Sequence, residues 1–286
     1  MSTRDFRPGV YPGIDPVEYH DQIFGPAGGS VSSTDAKNLL VAPAYYQYHH
    51  GHHPAPSRAM ELGTAIHAAV LGVGQADMAT IEGSWRTKAA REAVAAAREA
   101  GQIPLSPDEA WEVQSIAAAV RDQSAAAGLL DGPGIAEASI YAPDTATGVW
   151  MRGRPDWIAG DLTSDEPVVM VDLKTTSGDA SPDSFAREAA RWDYPLQAAW
   201  YRKIWHQIHG YTPRFVHVVV SKTPPYLVGV YELDDEYLTA GLVRARRALN
   251  RYTECVRAAS WPGHSPDIEL LGAPAWYTAD AGLEVY

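Results

Sequence analysis

The run Val168-Val169-Met170-Val171 leads straight into Asp172-Leu173-Lys174. A short β-branched apolar run reads as a buried strand. Side chains alternate faces along a strand, so Asp172 and Lys174 point one way and Leu173 the other. The chain must therefore build a sheet that presents a carboxylate beside an ammonium at one strand end. A carboxylate there can hold Mg²⁺. The ammonium can polarise an attacking water or steady a phosphorane. Asp156 lies sixteen residues upstream, after Arg152-Gly153-Arg154-Pro155 and before Trp157-Ile158-Ala159. It is expected on the neighbouring strand of a hairpin, across from Asp172. Two acids and a lysine so placed are the layout of a metal-dependent phosphodiesterase core.

The rest of the chain divides by period. Residues 1–30 are rich in Gly, Pro and Tyr and read as an extended arm. Ser32 to Asp35 offer N-caps for a short helix through Leu40, which Pro43 ends. Tyr45 to Pro56 reads as a loop. Residues 58–72 form a helix with Gly72 near its C-cap, and 85–100 and 107–128 read as two further helices. Strands follow at Ile135–Tyr141, Val149–Arg154, Asp156–Ala159 and Val168–Lys174. A helix over 193–209 precedes a strand pair, Arg214–Lys222 and Tyr226–Leu233. Asp234 and Asp235 cap a long helix through Ala259. Helices first, then a mixed sheet with a crossover helix, predict one α/β domain with an N-terminal helical part.

Composition narrows the function. The chain has 286 residues, 46% of them hydrophobic, which suits a globular protein and is too many for disorder. No stretch reaches the ~18 apolar residues of a membrane span. Residues 1–10 are polar, and Cys255 is the only cysteine, so a reducing cytoplasm is expected. A net charge of −12 argues against broad-surface nucleic-acid coating. It leaves room for an enzyme with a local basic channel.

Other side chains are candidates around Asp156, Asp172 and Lys174. His67 lies on the 58–72 helix, one turn after Gly63, whose missing side chain would allow a close approach. It is either a metal ligand or phosphate contact, or a structural histidine. Gln197 and Tyr201 share a helix face and either orient Lys174, grip a DNA backbone, or form a polar helix edge. Glu137 shares a strand face with Ser139 and Tyr141, where it either holds a second metal ion or is a surface acid. Arg152 and Arg154 either clamp phosphates or pair with acids. Thr175 and Thr176, next along the strand, are further DNA-contact candidates. The cluster His49, His50, His52 and His53 has no cysteine beside it and reads as a solvated loop rather than a zinc site.

In order, Gly63-x-x-x-His67, Gly153-Arg154-Pro155-Asp156, Asp172-Leu173-Lys174-Thr175-Thr176 and Gln197-x-x-x-Tyr201 resemble the RecB/RecE branch of the PD-(D/E)XK nucleases. The nearest likeness is to RecE-type (exonuclease VIII) nuclease domains, often phage-encoded. Pro8-Gly9-Val10-Tyr11, Tyr19-His20, the Glu137–Tyr141 strand and Thr223-Pro224-Pro225-Tyr226 add to it. The resemblance implies a restriction-endonuclease-like α/β core: a mixed central sheet flanked by helices, with an N-terminal helical region. It implies one nuclease domain over 1–286, with an arm at 1–57, a helical part at 58–130, the catalytic core at 131–260 and a tail at 261–286. It implies a Mg²⁺-dependent exonuclease, Mn²⁺ substituting, that resects linear duplex DNA 5′ to 3′ and feeds a RecT-like annealing protein. His67, Asp156, Asp172 and the Leu173 carbonyl become the implied metal ligands, Lys174 the catalytic lysine and Glu137 an acid near the metals. A ring-shaped tetramer or trimer is implied too. A repair or restriction-type endonuclease, or a non-catalytic DNA clamp on the same core, are the competing readings.

Overall fold

The computed structural model describes residues 6–50, 56–73, 77–164, 166–274 and 277. In chain order the elements are β1 (Gly9–Tyr11), α1 (Pro16–His20), α2 (Ser33–Val41), α3 (Pro43–His49), α4 (Arg58–Leu71), β2 (Met78–Thr80), α5 (Lys88–Glu99), β3 (Ile103–Leu105), α6 (Pro107–Asp122), α7 (Ser124–Leu130), β4 (Gly134–Ala136), β5 (Ser139–Pro143), β6 (Trp150–Gly153), β7 (Trp157–Ala159), β8 (Val169–Thr176), α8 (Pro182–Arg191), α9 (Tyr194–His209), β9 (Arg214–Ser221), β10 (Val228–Glu232) and α10 (Asp235–Ala258).

The central sheet has the order β10-β9-β8-β7-β4. β8 and β9 run parallel and the other neighbours antiparallel, so the sheet is mixed as expected. The parallel pair needs a crossover, and α8 and α9 supply it. One face of β8 and β9, with Met170 and Phe215, and Val168 just before β8, packs on Leu196, Trp200 and Ile204 of α9 and Leu249 of α10. The other, with Val171, Leu173, Val218 and Val220, packs on Ile66 and Ala69 of α4 and Val113 and Ile116 of α6. Helices on both sides of β8 explain why its sequence is continuously apolar up to Asp172.

The helix ends follow from sequence. Ser32 and Asp35 form a capping box at α2, and Ser106 and Glu109 another at α6. Gly72 takes φ 71° to close α4.

Several boundaries differ from expectation. The N-terminal arm is folded: β1 pairs with β5, and the rings of Phe6, Tyr11 and Phe24 pack on Tyr141. Aromatic burial, invisible to a period search, holds it there. Residues 45–49 continue as α3 rather than opening into a loop, because Pro43 is the first residue of that helix. The expected 107–128 helix breaks at Gln123, whose extended backbone caps α7 with its side chain. The expected 135–141 strand is two strands in two sheets. Glu137, with φ 48°, turns the chain from β4 into β5. The short parallel pair β2–β3 and helix α8 had no counterpart in the sequence reading.

Candidate active site

Asp156 directly precedes β7, whose Trp157 is registered with Val171 of β8. β7 thus stops pairing just before Asp172. The freed edge of β8 is taken by a side chain: Leu173 N–H donates to Asp156 Oδ2 at 2.6 Å. In an extended strand the N–H and C=O of one residue face the same edge, so the Leu173 carbonyl also faces Asp156. The sheet brings together two aspartates that the sequence separates.

Asp172, 2% exposed, points to the α9 side. Its Oδ1 accepts a 2.7 Å hydrogen bond from Gln197 Nε2, and its Oδ2 lies 2.5 Å from Lys174 Nζ. That contact is a charge contact rather than a well-directed hydrogen bond, and Oδ2 has no other hydrogen-bond donor. Lys174 donates to Gln197 Oε1 at 3.3 Å and sits 4.7 Å over the Tyr194 ring. Gln197 therefore fixes both charged groups, and the buried Tyr201 hydroxyl stands behind it at 3.5 Å. This helix face thus reaches Lys174 and Asp172 through Gln197.

Electrostatics set the protonation states. Burial raises the Asp172 carboxyl above the usual range, more than Lys174 lowers it. Burial also raises Asp156, but His67, Lys174 and the Leu173 N–H outweigh it and hold that carboxyl low. For Lys174, burial is outweighed by Asp172 and Asp156, so its pKa lies above the ordinary value and it is an ammonium at neutral pH. His67 Nδ1 lies 3.5 Å from Asp156 Oδ1, and that carboxylate raises the imidazole pKa against burial.

Oxygen donors dominate this set, which suits Mg²⁺ or Mn²⁺. Among the described residues no group of three or more His, Cys, Asp or Glu side chains is close enough to cage an ion. Mg²⁺ does not need one: it keeps several waters and takes one or two carboxylates plus substrate phosphate. Asp156, Asp172 with its under-used Oδ2, and the Leu173 carbonyl fit that requirement.

The remaining candidates differ in how the fold places them. Glu137 lies at the β4–β5 turn, and its backbone N–H donates to the Asp156 carbonyl at 3.0 Å. The strand face it was to share with Ser139 and Tyr141 does not exist, because the turn breaks the alternation. Arg152 is 5% exposed, pairs with Asp35 Oδ2 at 3.1 Å and donates to Ser30. It bolts the segment before α2 to β6 and cannot clamp phosphates. Arg154 is also committed: it donates to Ser139 Oγ and the Ile14 carbonyl and lies 4.3 Å over Tyr19. Thr176 is buried, donating to Glu188 and accepting from Gly178 N–H, so it is not a DNA contact. Thr175 is half-buried on the α4 side of the sheet. A Cβ on Gly63 would meet nothing within 4 Å, so no close approach explains that glycine. His49 and His50 end α3 against Tyr45 and Tyr46, while His52 and His53 lie outside the described residues.

Three neighbours were missed. His217 is registered with Asp172 on the same face, fully buried, with neither ring nitrogen hydrogen-bonded. Burial, then Lys174, push its pKa down to about 3, so it is neutral. As the one polar residue inside Val216-His217-Val218-Val219-Val220 it was visible in the sequence. Tyr194 and Lys37 come from segments without a motif. Lys37 lies 5.5 Å over the same Tyr194 ring, and burial and Lys174 lower its pKa to about 8.

Comparison with known proteins agrees with this fold. The model of a PDDEXK-like domain of unknown function (DUF3799) matches residues 32–274. A crystal structure from Eubacterium rectale, described as a "Putative exonuclease", superposes with TM-score 0.60 at 14% identity, covering 94% of this chain and 98% of that one. At that identity the likeness is one of fold. The structure of SSO0001 aligns with TM-score 0.29 at 11% identity over 67% of this chain and 84% of that one. A comparison with curated proteins returned no match.

Proposed function

The chain belongs to this PDDEXK-like family, and from that premise we propose that it is a Mg²⁺-dependent exodeoxyribonuclease acting on ends of linear double-stranded DNA. The observation that carries the reading is the meeting of Asp156, Asp172 and Lys174 at the edge where β7 stops pairing with β8. The name of the Eubacterium rectale protein supports the exonuclease choice.

When bound, the divalent ion lowers the pKa of a water and neutralises charge on the scissile phosphate. Asp156, Asp172 and the Leu173 carbonyl would hold it, with Mn²⁺ able to replace Mg²⁺. His67 would join as a ligand on losing its proton, and otherwise holds Asp156 in place. Lys174 is protonated, so it acts as a fixed positive charge. It orients the attacking oxygen and steadies the charge that develops on phosphorus. Gln197 keeps Lys174 and Asp172 in register, and Tyr201 keeps Gln197. Resemblance to the RecE-type enzymes supports 5′ to 3′ resection for single-strand annealing recombination, with a RecT-like partner and a ring-shaped trimer or tetramer.

The test is digestion of end-labelled linear duplex and of covalently closed circles. Mg²⁺-dependent loss of label from linear DNA, blocked by EDTA, with intact circles, is the expected result. Cutting of closed circles would make the enzyme an endonuclease, and no cutting of either would end the proposal.

A further inference from the structure

Arg152, Arg154 and Thr176 are tied up inside the fold, yet this acidic chain of net charge −12 gathers cations beside the site. A pocket of ≈ 310 Å³ opens between α2, the α8–α9 turn and α10, and Lys37, Arg191, Trp192, Asp193, Arg244 and Arg247 line it. Four cations there face one carboxylate. Asp193 is already held by Arg244 at 2.8 Å, which pins the turn. Lys37, Arg191 and Arg247 pair with no carboxylate among the described residues.

The pocket is built rather than incidental. Lys37 Nζ donates to the Trp192 carbonyl at 2.8 Å, tying α2 to the turn. Trp192 is 53% exposed, and the Arg191 guanidinium lies 5.2 Å from its ring. An exposed indole flanked by cations is a stacking platform with an electrostatic rim. The Tyr194 ring connects it to the active site, since Lys37 and Lys174 lie over that ring at 5.5 and 4.7 Å. Arg244, Arg247 and Arg251 recur at spacings of three and four along α10, so they continue the cationic stripe on one helix face.

We propose that this pocket holds a single-stranded stretch of the DNA substrate next to the cleavage point, Trp192 stacking on an unpaired base and Lys37, Arg191 and Arg247 holding the flanking phosphates. The inference rests on the nuclease reading and adds the path of the strand. Inside a duplex both faces of each base are covered by its neighbours, whereas every base of an unpaired strand offers a face to an exposed indole. With a single strand as the occupant, the duplex end opens before the strand reaches Lys174.

The test is fluorescence anisotropy of the full chain in EDTA. Two labelled strands of equal length are compared, one with bases and one abasic, across a salt series. Trp192→Ala should weaken binding of the base-bearing strand about fivefold to a hundredfold and leave the abasic strand unchanged. Arg247→Ala should reduce the slope of log affinity against log salt by about 0.7 for both strands. Both side chains are exposed, so unchanged melting temperatures are expected and serve as the folding control. If Trp192→Ala binds both strands like the unmodified protein, or Arg247→Ala keeps the full salt slope, the pocket is not a strand site. Strand binding with these signatures but no Mg²⁺-dependent hydrolysis would instead overturn the nuclease reading and leave the pocket standing.

Discussion

Replacing Lys174 with alanine removes the ammonium that lies 2.5 Å from Asp172. At an effective dielectric of about 20, that contact carries an attraction of roughly 7 kcal/mol. Desolvation of the two ions offsets it by several kcal/mol each, so the intact pair is close to neutral for stability. The variant is different. It leaves Asp172 buried at 2% exposure with the like charge of Asp156 nearby. An unpaired carboxylate there costs about 3–5 kcal/mol unless it takes up a proton. Burial already holds the Asp172 carboxyl above its unfolded range, and without Lys174 it rises further. A group with a raised folded pKa contributes its stability at low pH and loses it as pH climbs through the folded value. The melting deficit of Lys174→Ala should therefore be smallest in acid, where Asp172 is protonated, and grow as pH rises through its raised folded pKa. Cleavage of linear duplex should fall at least about 10²- to 10³-fold, the usual loss for one preorganised charge donor. DNA binding should persist. Melts across pH, run beside a linear-duplex digestion, check both halves. A near-normal rate, or a melting deficit equal at every pH, would refute the reasoning.

Further outcomes follow from other parts of the fold. Asp144, fully buried, is bound by Lys203 at 3.0 Å, by Arg246 at 2.7 Å and by Thr147. Burial raises its carboxyl, but Arg246, Thr147 and Lys203 together hold it well below the carboxylate range. It thus stabilises the fold above the unfolded carboxylate pKa, and this is lost as pH falls through the folded value. Asp144→Asn should cost about 3 kcal/mol at neutral pH, a drop of about 6–12 °C for a chain of this size, and the difference should shrink in acid. A Cβ at Gly241 would sit 2.1 Å from the Pro195 carbonyl, where α9 and α10 touch backbone to backbone. Gly241→Ala should cost about 1–3 kcal/mol or more in thermal melts, whereas Gly63→Ala, with open space around it, should gain about 0.5–1 kcal/mol. His217→Phe removes two unpartnered buried nitrogens and should raise the melting temperature by relieving about 1–3 kcal/mol. A lower melting temperature, or lost cleavage at normal stability, would show that a ring nitrogen is used.

Placements set by local pattern could be read from the sequence, and placements set by distant packing could not. Asp172 and Lys174 were legible because a strand fixes which side chains share a face. The placement of Asp156 was legible because strands consecutive in the chain commonly pair, as β7 and β8 do. The strand expected through Glu137 was not legible, because residue type gives no warning of a positive φ, and one such residue sends β4 and β5 into separate sheets. Arg152 and Arg154 misled for the opposite reason. An arginine reads as surface charge until Asp35, Ser30 and Ile14, more than a hundred residues upstream, fold over it. Lys37 and Trp192 carry no motif, and only the meeting of α2 with the α8–α9 turn makes them neighbours.

The central claim is that Asp156 and Asp172 hold one divalent cation beside Lys174. Calorimetric titration of Mn²⁺ into the purified protein, Asp156→Asn and Asp172→Asn tests it without relying on turnover. Saturable binding to the unmodified chain, weakened at least tenfold in each variant at unchanged fold, is the result the geometry predicts. Equal binding to all three proteins would contradict it.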